Sequence, residues 1–594
     1  MDELEYYFSH RAIIKVISCL RASLAKKRHD QQFFFNLSTH APPPCSSESE
    51  QDKQLYAMLP PRKKWCRLNL EERRYKNTLE INSLSIERAV LIELNRKNRG
   101  KELQPWFIKL DEFIKKIQDV VLNESPYTLE SPYIQPIKKD SKKNNHEYRV
   151  IAVYNLFDRI IIGQISKYLR AIFDQDFEST SYAFRVRKDD KPCPNHHDAV
   201  EDILKYREEF SGNPLWLAEC DIQGFFDCVE HEQAREAMRK AQARAEKRGK
   251  SVDLRSLRFF DQYLESYSFR ETALLKAQEW FDSHNIKGEI NKRDQVLANF
   301  YPDLSTQKIG IPQGGALSCL IANLILDEAD KQVKNYDGLF YARYCDDMIM
   351  IHPEQEQCKS AFETYKETLK HLKLPIHEPE KIHEYNATFW QYKSKQPYKW
   401  GAKSEDISIP WIGFVGYQIR YDGYLRIRPS SLLKELNKQI WETDKVLKVT
   451  CSNVEKEKGS KGIINVTYYE EGVRKTKEQI LYRLAKRLIA MSVGNRKFDK
   501  SFDAINDYCW CRGFKLLRKY PFIKSQLRRL DRGRKHQLQR AKRLLQYLRI
   551  RKEDSQRPKR IIKYFGKPFS YDAQFPNTEN VAPSLLDGDK NGND

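Results

Sequence analysis

Tyr344-Cys345-Asp346-Asp347 sets two adjacent carboxylates between an aromatic residue and the apolar run Met348-Ile349-Met350-Ile351. The preceding Leu339-Phe340-Tyr341-Ala342 is also apolar and aromatic, so the pattern over 343–351 predicts strand, tight turn and strand, with the acids at the turn. An unpaired carboxylate in a half-buried strand loses its hydration, and a divalent cation would offset that loss. Taken by itself, the stretch is also compatible with a hairpin turn carrying two solvated acids. A second strand is predicted over Trp216-Leu217-Ala218-Glu219-Cys220-Asp221-Ile222, ending at Asp221. Phosphoryl or nucleotidyl transfer uses two divalent cations ~3.5–4 Å apart, bridged by carboxylates, and hard Mg²⁺ prefers such oxygen ligands together with substrate phosphates. If the two strands are neighbours in one sheet, Asp221, Asp346 and Asp347 supply that cluster. The Ile222 carbonyl is a further candidate oxygen ligand; Asp227 is either another or a helix cap.

Gly310-Ile311-Pro312-Gln313-Gly314-Gly315-Ala316-Leu317-Ser318 offers a turn, an amide and a helix start. Its glycines allow a flat substrate close to the backbone, and Gln313 can hydrogen-bond a sugar, a phosphate or a base edge. Two glycines before a helix are also an ordinary cap.

The elements around these residues are mostly helical. A helix is predicted from Tyr7 through Phe35, a Pro/Ser loop at 41–48, and basic helices from about 51 to 125, one starting at Asn82 or Ser83. Arg149-Val150-Ile151-Ala152-Val153 reads as a short strand followed by an apolar helix from Asp158. Charged helices fill Glu232 to Lys250 and Arg255 to Phe281, a long helix runs from near Leu317 to Glu328, and two short strands flank Tyr421-Asp422-Gly423. A polar segment at 451–462 carries no assigned chemistry.

The 594 residues contain 104 Lys+Arg against 82 Asp+Glu, a formal charge of +22, which favours a polyanionic partner through steering and counterion release. The twelve Cys are irregularly spaced, the N-terminus is acidic, and no apolar run reaches the ~18–20 residues that cross a bilayer. The expectation is a reduced, cytoplasmic protein with no membrane association. Cys509-Trp510-Cys511 is too tightly spaced for a zinc knuckle and reads as a pair of packed thiols.

Three motifs in order carry a family resemblance. Asp221-Ile222-Gln223-Gly224-Phe225-Phe226-Asp227, Pro312-Gln313-Gly314-Gly315-Ala316-Leu317-Ser318 and Tyr344-Cys345-Asp346-Asp347 resemble the successive motifs of reverse transcriptases. Within that family the chain is most similar to the bacterial branch of group II intron, retron and defence-associated enzymes. The resemblance covers about residues 145 to 430 and extends more loosely into the segment that follows. It implies an α+β right-hand polymerase: fingers, a palm with an antiparallel sheet, a helical thumb and a helical N-terminal extension. The implied boundaries are 1–130 for the extension and 131–428 for fingers and palm, with an insertion at about 232–305. A basic helical thumb follows over 429–565, then a mobile tail over 566–594.

By the same resemblance Asp221, Ile222, Asp346 and Asp347 hold two Mg²⁺ ions, with Mn²⁺ as a substitute, and the three Asp are catalytic. Arg149, in a segment similar to the fingers, faces the triphosphate. Phe226, five residues beyond Asp221, stands where the family's sugar gate excludes a ribose 2′-OH, and Gln313 contacts the nucleotide and template. Lys381 matches the palm lysine that assists the leaving pyrophosphate, although Ile382 follows it where the family has Thr. Ser181-Tyr182-Ala183-Phe184-Arg185 resembles a bacterial stretch with Ala183 in place of Gly, and Trp411-Ile412-Gly413-Phe414 resembles the primer grip. Arg528, Arg529, Arg532 and Arg534, with Arg549, Arg551 and Lys552 beyond, form the basic surface for a primer–template duplex.

The implied activity is RNA-directed DNA synthesis from dNTPs, copying a dedicated structured non-coding RNA in bacterial antiviral defence. Open alternatives are a group II intron or retron enzyme, a protein-primed or template-independent polymerase, and a non-catalytic RNA-binding scaffold. A protein partner or a homo-oligomer also stays open.

Overall fold

The computed structural model describes residues 3–546, apart from 40, 42, 44–48, 74–75, 77, 140–145, 187–192, 211, 383, 403–407, 452–453, 459–463, 469–472 and 494–519. The expectations for Cys509-Trp510-Cys511, for Arg549, Arg551 and Lys552, and for the tail at 566–594 lie outside the described residues. The chain divides into two compact units. One comprises Met1–Val16, Ile108–Val415 and Ile419–Gly423; the other comprises Ile17–Phe107, Gly416–Gln418 and Tyr424–Asp594.

The first unit holds the candidate site. Strand β1 (Tyr133–Lys138) pairs antiparallel with β2 (Glu147–Val153), and the short β4 (Glu289–Ile290) adds to β2 in parallel. The larger sheet contains β3 (Leu215–Asp221), β5 (Phe340–Tyr344), β6 (Asp347–His352) and β7 (Lys395–Trp400), in the order β5-β6-β3-β7 with every pairing antiparallel. The predicted acidic hairpin is therefore β5–β6. Interior position explains the unbroken apolar run Met348–Ile351, which is buried on alternating sides of the sheet. One face is covered by the helix Gln355–His371, whose Cys358, Ala361, Phe362, Tyr365 and Leu369 recur at helical spacing and are buried.

Strand β7 is absent from the sequence-based expectation. Its Pro397 cannot donate to a ladder, a feature that suits an edge, and β7 is the edge strand beside β3. The helix expected to close at Glu328 runs from Ala316 to Val333. The helix expected to start at Asn82 or Ser83 begins at Thr78 instead. There Ser85 bonds back to the Ile81 carbonyl at 2.8 Å, inside the helix, where a hydroxyl satisfies itself as readily as at a cap. Among the described residues no helix is long and apolar enough to cross a membrane.

In the second unit the helices Pro429–Thr450, Lys477–Val493 and Pro521–Gln546 pack together around Val446, Leu447, Ile480, Leu484, Leu488, Ala541 and Leu545. Gly533 permits the close approach, since a Cβ there would meet Leu436 Cδ2 at 2.5 Å. The Gln526 amide both accepts from Ile427 N (2.8 Å) and donates to Ile427 O (2.7 Å), completing the hydrogen bonds of the short strand Leu425–Ile427 as another strand would.

A buried ion pair braces the first unit. Arg343 on β5 donates from Nε and Nη2 to the two oxygens of Asp330 at 2.7 and 2.5 Å, and the Tyr341 hydroxyl donates to Asp330 Oδ1 at 2.6 Å. Neither charged side chain reaches solvent. Removing one partner strands a desolvated charge, which costs about 3–5 kcal/mol. Arg343→Met is expected to lower unfolding free energy by that amount in urea titrations.

Candidate active site

Antiparallel register places Asp221, the last residue of β3, directly opposite Asp347, the first residue of β6. Tyr344 pairs with Asp347 across the hairpin, leaving Cys345 and Asp346 as the two turn residues. Cys345 has φ 63°, a left-handed conformation that glycine adopts more readily. Arg343 Nη1 stabilises that turn by donating to the Cys345 carbonyl at 3.0 Å. The three acids thus share one end of the sheet. Burial, and after it the charge of Asp221, raise the Asp346 carboxyl above the usual Asp range.

Asp221 is held on three sides. Its amide donates to Ser394 Oγ (3.0 Å), its carbonyl accepts from His377 N (3.0 Å), and its Oδ2 accepts from Lys393 Nζ at 2.8 Å. Lys393 Nζ also lies 3.1 Å from His377 Nε2, which is itself 3.4 Å from Asp221 Oδ2. Burial first, and then the Lys393 charge, lower the His377 pKa, so the neutral ring accepts from Lys393. Lys393 and His377 had no part in the sequence-based site. Lys381, expected by position to assist the leaving pyrophosphate, is exposed, and a different lysine, Lys393, pairs with Asp221. The one available signal was Pro397 in a segment otherwise suited to an edge strand, which would have brought Lys393 and Ser394 beside the end of β3.

The loop after β3 turns at Gly224 (φ 62°) into the single-turn helix Phe225–Cys228. Ile222 is buried and pairs with Ile376. Phe226 is half-buried with its ring edge-on to the buried Phe225, centroids 5.3 Å apart. The Phe226 carbonyl accepts from Ile311 N at 2.8 Å. Asp227 is buried: its Oδ1 accepts from Gln313 Nε2 at 2.9 Å, and its Oδ2 accepts from Arg293 Nε and Nη2 at 3.3 and 3.2 Å. Burial raises its pKa, opposed by Arg293 and then by Gln313. The side-chain amide of Gln313 is therefore engaged within the protein, and its backbone carbonyl accepts from Ala152 N on β2 at 3.1 Å. Arg149 is exposed on β2, opposite Ile137 of β1.

On the second unit's helix Pro521–Gln546, Arg528, Arg529 and Arg532 are exposed, whereas Arg534 is only 3% exposed. Ile523, Leu527, Leu530, Asp531, Arg534, Gln537, Ala541 and Leu545 recur every three or four residues and are buried, so Arg534 sits on the inward stripe. The expected four-arginine surface is in this respect a three-arginine surface.

Among the described residues no group of three His, Cys, Asp or Glu side chains is arranged to hold a metal ion. The paired carboxylates of Asp221, Asp346 and Asp347 nonetheless fit a hard dication of the kind that one or two carboxylates, waters and substrate phosphates complete.

A mixed α+β scaffold with clustered acids at one sheet end, beside a glycine-rich helix entry, defines the class of site. Residues 137–415 match the family model for reverse transcriptase (RNA-dependent DNA polymerase). Over 227 residues the chain is 26% identical to the group II intron-encoded protein LtrA of Lactococcus lactis subsp. cremoris, covering 38% of this chain and 28% of that protein. The protein of the same name from strain MG1363 matches equally. The chain thus spans little more than a quarter of the length of these curated relatives. Solved structures with some likeness include apo telomerase from Candida tropicalis, with TM-score 0.32 and 11% identity over 91% of this chain and 82% of that one. Telomerase from Candida albicans gives TM-score 0.28 and 12% identity over 80% and 78%. Scores of this size do not establish a shared fold. Residues 137–415, somewhat less than half of the chain, are thus similar to reverse transcriptases.

The glycine entry to the helix Ala316–Val333 is tightly built. A Cβ on Gly315 would fall 1.8 Å from the Tyr263 hydroxyl, which pairs with Ser318 Oγ at 2.7 Å. Gly315→Ala is expected to destabilise by about 1–3 kcal/mol through overpacking. A Tyr263→Phe background should recover part of the loss, read as the melting temperature of the four proteins.

Proposed function

We propose that this protein is an RNA-directed DNA polymerase that adds deoxynucleotides to a primer 3′-OH. The observation that carries the reading is the register that sets Asp221 opposite Asp347 with Asp346 at the adjoining turn. Asp221, Asp346 and Asp347 would hold two Mg²⁺ ions, for which Mn²⁺ could substitute. When bound, these ions lower the pKa of the attacking hydroxyl and neutralise charge on the leaving pyrophosphate. The chain's own groups prepare the site. Ser394, His377 and Lys393 fix the orientation of Asp221 before substrate arrives. Phe226 would lie against the sugar and exclude a 2′-OH, and Arg149, exposed on β2, would meet the triphosphate.

In this reading the segment 131–428 supplies fingers and palm, and 429–565 supplies a thumb. The relatives support a template setting like that of group II introns or retrons over one in antiviral defence. Primer extension with dNTPs on an RNA template tests the activity. Asp221→Asn, Asp346→Asn and Asp347→Asn should each lower the rate at least about 10²-fold, with RNA binding retained. Undiminished synthesis by a folded Asp346→Asn protein rejects the assignment.

The exposed Arg528, Arg529 and Arg532 are the candidate phosphate-binding groups of the second unit. Each arginine neutralised should flatten the slope of log affinity against log salt by about 0.7–0.9. Replacing all three by Gln should therefore weaken RNA binding and its salt dependence together in filter-binding titrations. Arg534→Gln should instead lower thermal stability and leave the salt slope unchanged.

A further inference from the structure

The segment between the first two motifs contributes a side chain to the site, and no motif includes it. We propose that Arg293 is a positioning residue for deoxyribose selectivity, acting on the Phe226 loop through Asp227. This proposal rests on the polymerase reading and on Phe226 as the sugar gate.

Arg293 reaches the loop in two ways. Its Nε and Nη2 donate to Asp227 Oδ2 at 3.3 and 3.2 Å, and both side chains are nearly enclosed, 13% and 8% exposed. Its guanidinium also lies over Gly224, where a Cβ would come within 2.5 Å of Nε, Cζ and Nη2. The four residues from Gly224 to Asp227 are thereby capped from one side by Arg293. From the other they are tied to the glycine-rich segment by Gln313 on Asp227 and by Ile311 N on the Phe226 carbonyl. Asp227 satisfies two partners at once, one oxygen for each.

Removing Arg293 would leave one buried carboxylate oxygen unpaired, a state that drives rearrangement. Asp227 would then turn toward the remaining donor or toward water. Phe226 is its immediate neighbour in a single helical turn, so the ring must move with it. Exclusion of a 2′-OH by contact fails over a displacement of a fraction of an ångström, because repulsion is steep. Arg293 contacts neither sugar nor phosphate in this scheme; it fixes the group that does. A merely structural Arg293 would affect stability and leave sugar selectivity alone.

The test compares kcat/KM for dCTP and CTP in primer extension on an RNA template, with thermal melting measured alongside. The proteins are wild type, Arg293→Lys, Arg293→Gln, Phe226→Ala and the Phe226→Ala/Arg293→Gln double variant. Arg293→Gln should lower the preference for dCTP about tenfold, with Arg293→Lys falling between it and wild type. In the Phe226→Ala background Arg293→Gln should produce no further drop, because both act through one ring. Full preference in a folded Arg293→Gln protein overturns the proposal, as does an equal further drop in the Phe226→Ala background. If Arg293→Gln does not fold, Asp227→Asn, which sets an amide donor against the guanidinium, takes its place with the same two expectations. Wild-type protein that makes no DNA overturns the polymerase reading itself. Wild-type protein that makes DNA without sugar preference overturns the gate assignment alone, and the Arg293 proposal with it.

Discussion

Pairing of β3 with β6 is the constraint on which the site depends. Side chains alternate along a strand, so a slip of one residue would turn Asp347 and its whole strand to the opposite face. The buried run Met348–Ile351 resists such a slip, since every side chain in it is already committed to packing. The acids consequently gather at one end of the sheet. The same apolar burial that fixes the register also raises the Asp346 carboxyl, so fold stability and site electrostatics have a common origin.

Buried polar groups complete what apolar packing starts. The Arg343–Asp330 pair holds β5 to the helix Ala316–Val333, and the same guanidinium reaches the Cys345 carbonyl in the acidic turn. Edge pairing extends this outward: Arg343 N donates to the Thr180 carbonyl, and Tyr182 N donates to the Arg343 carbonyl. Asn323 donates to the Ala183 carbonyl at 3.0 Å, and Arg185 closes on Asp174 at 3.0 Å. The Ser181–Arg185 motif is thus bound into the scaffold that carries the hairpin. On the other side of β3, half-buried Glu219 accepts from Lys395 at 2.5 Å and from Tyr398 at 2.6 Å, securing the edge strand that delivers Lys393 and Ser394 to Asp221.

The second unit organises a different surface by the same rule. Its long basic helix directs one stripe inward and leaves Arg528, Arg529, Arg532 and Arg543 outside, and Gly533 lets a neighbouring helix approach closely. Arg534 shows that charge alone does not mark a side chain as exposed. Its position in the stripe of Leu527, Leu530, Gln537 and Ala541 decides its burial.

The sequence by itself determined the acidic hairpin, the strand ending at Asp221, the glycine-rich helix entry and the resemblance to reverse transcriptases, because local period and ordered motifs carry that information. Its ordered motifs also nominated the residues that would bear such chemistry. Only tertiary structure decided that Lys393 meets Asp221, that Arg293 and Gln313 share Asp227, and that Arg534 turns inward. The partners in the first two of these contacts stand between 66 and 172 residues apart. No local period encodes such contacts: they arise when strands and helices distant in the chain close on one another and leave polar groups that must find partners away from water.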